Sequence, residues 1–118
     1  MLVVIESPFA PTSVFPPLRW WQQYRNIRYA RLCMLDSLGR GESPFASHLL
    51  YPQVLNDDLP VERAIGITAG LLWGRHARLT VVYTDLGITA GMREGADTAL
   101  LSGRKVEYRK LTDRRQYA

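Results

Sequence analysis

A chain of 118 residues is long enough to bury one hydrophobic core and too short for two, and its 47% hydrophobic and 22% charged residues exclude a disordered protein. No apolar run approaches the roughly 20 residues that cross a bilayer, which argues against a membrane partner. The net charge of +4 is spread widely, with its densest group near the C-terminus, so nucleic acid is the weakest of the partners considered.

The first residues and the cysteine content indicate the compartment. The opening apolar stretch lacks the basic region and the cleavage site of a secretory signal, and Cys33 alone cannot form an intrachain disulfide. We therefore expect a cytoplasmic protein, with one domain over residues 1–111 and a basic C-terminal tail over residues 112–118.

The first predicted unit is a strand followed by a helix. Residues 2–5 are a short β-branched apolar run, which is typical of a buried strand. Residues 8–17 hold four of the seven prolines and predict a long loop, a kind of loop that is often functional. A helix is predicted over residues 18–38, and the spacing of its apolar residues predicts one buried face: Trp20, Tyr24, Ile27, Met34 and Leu38.

The second unit opens with a short strand that runs into a loop, so that His48 is expected at the end of the strand. Asp57 or Asp58 is the expected N-cap of the next helix, over residues 61–75, and Pro60 suits its first turn. Three glycines four residues apart give this helix a smooth stripe, which predicts either tight packing on the sheet or a subunit interface: Gly66, Gly70 and Gly74.

The third unit is a buried-strand pattern over residues 79–84, a glycine-rich turn over 85–91, a helix over 90–101 and a last strand over 105–108. Strands and helices that alternate at this spacing predict an α/β fold, with a mainly parallel sheet of four or five strands covered on both faces. Because the carboxyl ends of parallel strands share one edge, the loops that follow the strands should form a ligand crevice there.

The glycine-rich turn is the main candidate binding segment. Gly87 and Gly91 let backbone amides turn outward, and the helix that follows presents unpaired N–H groups at its positive dipole end. Thr89 can either cap that helix or donate its hydroxyl to a phosphate oxygen. The turn therefore predicts a site for phosphate or sugar, with an ordinary turn as the alternative.

Three titratable side chains could act at this edge. Asp85 could orient a ribose hydroxyl, act as an acid or base, or cap its own turn. Glu94 could be a nucleophile or a favourable charge near the start of the helix. His48, which the pattern makes the more exposed of the two histidines, could be an acid or base or a structural residue. Two separated histidines and one cysteine predict no metal site, and no cofactor is expected.

Five segments, which are distributed along most of the chain, follow one another in a recognisable order: Glu6 to Ala10, Asn26 with Tyr29 to Arg31, Pro44 to Tyr51, Asp58 to Arg63, and Gly87 to Gly95. Their order resembles the nucleoside 2-deoxyribosyltransferase-like superfamily, and more closely a set of small phage and prophage proteins related to it. The resemblance implies a three-layer flavodoxin-like fold, a nucleotide-like ligand and homo-oligomers whose copies complete each other's sites. It also implies N-glycosidic chemistry, in which a glutamate attacks the anomeric carbon of the sugar and displaces the base.

One segment departs from the family pattern. The glutamate of those enzymes lies in a Gly-Met-Glu-Leu-Gly-like segment, whereas residues 91–95 here are Gly-Met-Arg-Glu-Gly. When the two glycines are aligned, Arg93 takes the place of the nucleophile and Glu94 is displaced by about 100° around the helix. Either the backbone shifts and Glu94 still acts, or the protein binds an anion without cutting it.

The expected function is that of a nucleotide- or nucleoside-binding protein that cleaves or transfers an N-glycosidic bond. The alternative is a non-catalytic phage-type protein that binds and sequesters a nucleotide signal. The expected catalytic residues are Glu94, Asp85 and His48. The expected ligand-binding residues are Ser7, Pro8, Phe9, Gly87, Thr89, Gly91 and Arg93.

Overall fold

The computed structural model describes residues 1–111, and the predicted tail over residues 112–118 lies outside them. Within the described residues, strands and helices alternate along the chain, with one 3₁₀ turn at Tyr51–Gln53: β1 (Leu2–Glu6), α1 (Pro16–Gly39), β2 (Ser43–Phe45), α2 (Ser47–Leu50), α3 (Pro60–Gly74), β3 (Leu79–Tyr83), α4 (Ala90–Leu101) and β4 (Lys105–Arg109). The strands form one sheet in the order β2-β1-β3-β4, and every pair is parallel. This confirms the predicted α/β fold and its parallel sheet.

The sheet separates two helical layers. Because neighbouring side chains of a strand point to opposite faces, Val3 packs under α1, while Val4 and Glu6 point to the other face. That other face is covered by α3, whose Gly74 lies against Val4, and by α4, which packs on Val82. The result is a three-layer arrangement consistent with a flavodoxin-like fold.

The buried face of α1 differs from the predicted one. Trp20, Tyr24 and Leu38 are exposed to 69%, 53% and 55% of their surface. The buried stripe consists instead of small, polar and hydrogen-bonding residues: Asn26, Tyr29, Ala30, Cys33, Asp36 and Ser37. The prediction from apolar spacing is wrong for this helix, because hydrogen-bonded polar side chains fill the space between α1 and the sheet.

Those polar side chains meet a buried arginine from the edge strand β4. Arg109 donates to both carboxylate oxygens of Glu42, at 2.7 and 2.6 Å, and this pairing lowers the pKa of Glu42. Tyr83 donates to Asp36 at 2.8 Å, and Ser37 donates to Glu42 at 2.8 Å. The charged groups of this network, Arg109, Glu42 and Asp36, are thus each paired, and the network joins the end of α1 to β3 and β4.

The segment between β2 and α3 is more helical than predicted. β2 ends at Phe45, and residues 47–53 form α2 and the 3₁₀ turn, so His48 lies on a short helix and not at a strand end. The N-cap of α3 is Leu59, which has no capping side chain, so the prediction of an aspartate cap is wrong. Pro60 occupies the first helical position as predicted, where its fixed φ and missing N–H suit the start of a helix.

The glycine stripe of α3 faces the rest of the chain. Its three glycines lie, in chain order, against side chains of Tyr51 and Leu55, against Ser47 and against Val4. The last glycine therefore packs on the sheet as predicted, whereas the first two pack on the segment between β2 and α3, and the opposite side of α3 is left to solvent. Among residues 1–111, no helix combines the length and the apolar character that crossing a membrane requires.

Candidate functional site

At the carboxyl edge of the sheet, the connections that follow the neighbouring strands β1 and β3 lead to opposite faces of the sheet. The chain leaves β1 towards α1 on one face, and it leaves the adjacent β3 towards α4 on the other. In open parallel sheets this change of side leaves a crevice between the two strand ends, and ligands bind there. The segments over residues 6–9 and 84–91 flank this crevice, and they contain most of the predicted site residues.

Glu6, the last residue of β1, places a carboxyl group beside this crevice. Its side chain lies on the α4 side of the sheet, largely withdrawn from water, and this desolvation raises the pKa of Glu6 from 4.5 to about 7. Within residues 1–111 no other side chain forms a hydrogen bond or an ion pair with it. About half of such groups carry a proton near neutral pH, which is the condition for acting as either an acid or a base.

The space for this carboxyl group comes from a glycine. Gly95 lies in the second turn of α4, and a Cβ atom at that position would overlap the carboxyl atoms of Glu6. The buried position of Glu6 therefore requires that residue 95 has no side chain. Glu6 and Gly95 together form one feature of the site, contributed by β1 and α4.

Ser7 and His48, both predicted site residues, lie in contact. The Ser7 Oγ atom is 2.7 Å from His48 Nε2, the Phe9 ring stands edge-on to the His48 ring, and Pro8 is buried beside them. Burial lowers the pKa of His48 to about 4, so its imidazole is neutral at pH 7. The expectation that His48 is the more exposed histidine is wrong: it is half-buried and His76 is exposed, because α2 folds His48 back onto Ser7.

Asp85 fixes the segment after β3 to α1. Its Oδ1 atom accepts a hydrogen bond from the Tyr29 hydroxyl at 2.6 Å and another from the Leu111 N–H at 2.8 Å. The Tyr29 oxygen in turn accepts the N–H of Asp85 at 3.0 Å. Burial and the bond to Asp85 both raise the pKa of Tyr29, so its hydroxyl stays a donor. The geometry makes Asp85 a group that positions the glycine-rich turn.

The glycine-rich turn leads directly into α4. The Gly87 N–H donates to the Thr84 carbonyl at 3.0 Å, and the φ of +90° at Gly87 is one that favours glycine. Thr89 caps α4, since its hydroxyl oxygen accepts the backbone N–H three residues further on at 3.2 Å. The N–H groups of Ala90 and Gly91 have no acceptor within residues 1–111, and they lie at the positive end of the helix.

Arg93 and Glu94 are both exposed on α4. Because Met92 and Ala96 face the sheet, the turn of about 100° per residue puts Glu94 on the solvent side and Arg93 on the side away from Gly95. Neither side chain forms a hydrogen bond or an ion pair with another residue in the 1–111 region. The structure does not bring Glu94 together with the other candidate catalytic side chains.

A cleft of about 430 Å³ opens beside the crevice. Phe9 forms part of its wall, and Arg19 and Arg63 bring positive charge to it. Arg19 pairs with Asp58 at 2.9 Å, whereas Arg63 has no ion pair in the described part of the chain. The Phe9 ring connects this cleft to His48. In residues 1–111 no three His, Cys, Asp or Glu side chains are grouped to hold a metal ion.

Glu6 and Gly95 are site residues that the sequence patterns did not predict. Glu6 follows an apolar run and therefore resembles the ordinary polar end of a strand. Its burial depends on Gly95, which lies 89 positions later in the chain (6 to 95). The signal that could have identified it is its place at the carboxyl end of the first strand, next to the predicted crevice.

Comparisons with known proteins give the family of the chain. A search of curated proteins and a search of solved structures each gave no match. The model of a family described as Domain of unknown function (DUF7768) matches residues 1–109, a range that includes all four strands and both segments that flank the crevice. The chain therefore belongs to the DUF7768 family.

Proposed function

We propose that this protein binds a nucleoside or nucleotide in the crevice between β1 and β3 and cleaves or transfers its N-glycosidic bond, with Glu6 as the acid–base group. The observation that carries the proposal is the unpartnered carboxyl group of Glu6, held beside the crevice with a pKa of about 7. The substrate class rests on the resemblance of five chain segments to the nucleoside 2-deoxyribosyltransferase-like superfamily.

The energetics of Glu6 support a functional role. A carboxyl group that is withdrawn from water without a hydrogen-bonding partner destabilises the folded protein wherever it is charged. A glutamine or an apolar residue would avoid that penalty. Titratable groups with strongly shifted pKa values in a crevice are characteristic of catalytic sites, where a pKa near the working pH makes proton transfer efficient.

The chemistry needs one proton donor and one acceptor, and Glu6 can be both. As the bond between the anomeric carbon and the base nitrogen breaks, its electron pair leaves with the base, and the Glu6 carboxyl group supplies a proton to the base. Water attacks the anomeric carbon and gives its proton to the Glu6 carboxylate. The products are a free base with one added hydrogen and a sugar with one added hydroxyl, and Glu6 returns to its starting state.

Other groups around the crevice support an anionic or hydroxyl-rich ligand. The Ala90 and Gly91 amides are suited to a phosphate oxygen, as N-terminal amides of a helix are in many nucleotide sites. The Ser7 hydroxyl and the neutral imidazole of His48 can each exchange hydrogen bonds with a sugar or a base. The adjoining cleft, with Arg63 in its wall, offers room for the remainder of the ligand.

A non-catalytic protein that sequesters a nucleotide is the second candidate, and the two exposed side chains on α4 favour it. An arginine, Arg93, stands where the aligned segment of the deoxyribosyltransferase-like enzymes has its nucleophile, and Glu94 lies on the solvent side of the helix, away from the crevice. A protein of that kind would use the same amides and the same cleft, and it would release its ligand intact.

The test is incubation with nucleosides and nucleoside 5′-monophosphates, with free base measured by liquid chromatography. We expect base release by the wild-type protein, and a rate about 10²- to 10⁴-fold lower in Glu6→Gln, because a positioned general acid contributes a factor of that size. Ligand bound tightly and recovered intact by the wild-type protein would instead support sequestration.

Glu94→Gln is the matched control, since it makes the same chemical change on the exposed side of α4. It should release base at the wild-type rate. If Glu94→Gln loses activity and Glu6→Gln keeps it, the nucleophile is Glu94, as the resemblance implies, and the role proposed for Glu6 is wrong.

A further inference from the structure

The chain enters β3 and β4 at the amino edge of the sheet, which is the edge opposite the crevice. Residues 75–78 lead from α3 into β3, and residues 102–104 lead from α4 into β4. The two strands are parallel neighbours whose first residues pair with each other. Arg78 and Arg104, which directly precede them, therefore lie side by side, at the spacing of about 5 Å between neighbouring strands.

Four basic side chains come together at this edge, and we name them the amino-edge cluster: Arg75, Arg78, Arg104 and Lys105. The Nη2 atom of Arg104 is 3.8 Å from the position that a Cβ atom would take at Gly74, so the end of α3 adjoins the cluster. Three of the four residues are exposed and Arg104 is half-buried. The two loops that carry them contain no Asp or Glu.

The positive charge of the cluster is not neutralised within the described chain. None of its four side chains has a hydrogen bond or an ion pair within residues 1–111, so none of them donates to the last carbonyl groups of a helix, which is the ordinary structural role of such residues. Asp36 and Glu42 also lie towards this edge, but Arg40 and Arg109 hold them. Like charges held together in this way repel each other, and an anionic partner would relieve that repulsion.

Backbone hydrogen bonds fix the two loops in place. The Arg78 N–H donates to the Leu2 carbonyl at 3.1 Å, and the Arg104 N–H donates to the Ala99 carbonyl at 2.9 Å. Gly103, with a φ of +78°, forms the left-handed turn that ends α4. A partner therefore meets a preformed array of cations, and little backbone ordering opposes binding.

We propose that the amino-edge cluster binds the phosphate backbone of double-stranded DNA without reading its base sequence. A duplex carries one negative charge per roughly 1.7 Å of its axis, so several cations at one edge can contact phosphates at the same time. The planar guanidinium group of arginine also matches two phosphate oxygens. Single strands fit less well, because their binding proteins stack bases on aromatic rings, and residues 75–78 and 102–105 contain no Phe, Tyr or Trp.

The fold changes the expectation that the sequence gives for this partner. Basic residues are spread widely along the chain, which made nucleic acid the weakest of the partners considered. The sheet brings the loops before β3 and β4 together and leaves their cations unpaired. The cluster and the crevice lie at opposite edges of the sheet, so this proposal is independent of the function proposed for the crevice.

The test is titration of the full chain into a short, fluorescently labelled DNA duplex, with binding followed by anisotropy across a salt series. With four phosphate contacts, the affinity of the wild-type protein should fall about 150-fold between about 50 and 200 mM salt. The double variant with Arg75→Gln and Arg78→Gln keeps two contacts. It should bind more weakly at the low salt concentration, and its affinity should fall only about 12-fold over the same range.

The matched control is the double variant with Arg28→Gln and Arg31→Gln. It removes the same charge from exposed positions of α1, on the other face of the sheet, where neither side chain has a hydrogen bond or an ion pair within residues 1–111. It should keep the wild-type salt dependence, and circular dichroism should show that both double variants are folded. An equal loss of affinity in the two double variants would mean that only net charge matters, and it would overturn the proposal.

Three further outcomes would also overturn it. The first is a wild-type protein that does not bind the duplex at low salt, or whose affinity does not depend on salt. The second is tighter binding to a single strand of the same length. The third is binding to vesicles of anionic lipid without binding to the duplex.

Discussion

Replacing Glu6 with glutamine should stabilise the folded protein at pH 8 by about 3 kcal/mol, even though it removes the group proposed to carry the chemistry. The folded-state pKa of Glu6 is about 7, and its ordinary value is 4.5. Between these two values the folded chain holds a proton that the unfolded chain has released. The stability that Glu6 contributes is therefore complete below pH 4.5 and is lost as the pH rises through 7.

Glutamine resembles the protonated carboxyl group at every pH, so the variant should lose no stability over this range. The measurement is urea unfolding of both proteins at pH 5 and pH 8. The difference should be small at pH 5 and about 3 kcal/mol at pH 8. Protonation of His48, whose pKa burial lowers to about 4, destabilises both proteins as the pH falls below 6.5, and it cancels in the comparison.

Glu94→Gln serves as the control for this measurement also, since the side chain is exposed and its replacement should change the unfolding free energy by less than about 0.5 kcal/mol. A Glu6→Gln variant that is no more stable than the wild-type protein at pH 8 would mean that the Glu6 carboxylate is well solvated in the folded chain.

The second large effect is expected at Gly95. In Gly95→Ala the new Cβ atom would take the space that the Glu6 carboxyl group occupies, and the flexible glutamate side chain would turn out towards water. The pKa of Glu6 should then fall towards 4.5. Helix propensity gives the alanine variant a further advantage of about 1 kcal/mol. The variant should be folded and stable at pH 8, and its base release should fall as in Glu6→Gln.

Gly39→Ala is the matched control, because Gly39 ends α1, has open space around its Cβ position and has an ordinary φ. Unfolding at pH 5 and pH 8 should give it the wild-type pH dependence. If Gly95→Ala also keeps that dependence, then residue 95 does not hold Glu6 in its buried position.

Within residues 1–111 the order of the strands and of the long helices α1, α3 and α4 could be predicted from the sequence, because each of these elements is encoded locally, whereas the short helix α2 was not predicted. The apolar run over residues 79–84 predicts β3, and glycine and proline residues predict the ends of the long helices, in each case to within a residue or two. The parallel sheet then follows from alternation. The turn at Gly87 and the helix cap at Thr89 could also be predicted from the sequence, since both depend only on residues of their own segment.

Features that depend on distant partners could not be predicted. Asp36 is buried under α1 because Tyr83, from β3, bonds to it, and no pattern within the helix carries that information. Asp85 turns to Tyr29 and the Leu111 N–H rather than to its own turn for the same reason.

In the candidate site, too, locally encoded features could be predicted and features that depend on distant partners could not. Ser7, His48 and Phe9 were predicted separately from their strand and loop positions, and the structure places them in contact. Glu94 was predicted from its place in a short segment, and only the helix packing puts it on the solvent side. The carboxyl group of Glu6 is buried only because the fold brings Gly95 next to it.

The protonation of Glu6 in the folded protein can be measured directly by carbon-13 NMR titration of its side-chain carboxyl carbon. A midpoint near pH 7 is expected for the wild-type protein, together with a shift of that midpoint when a nucleoside 5′-monophosphate is added, because the ligand would lie beside the carboxyl group. A midpoint near 4.5 that no nucleotide changes would contradict the assignment of the site to this crevice.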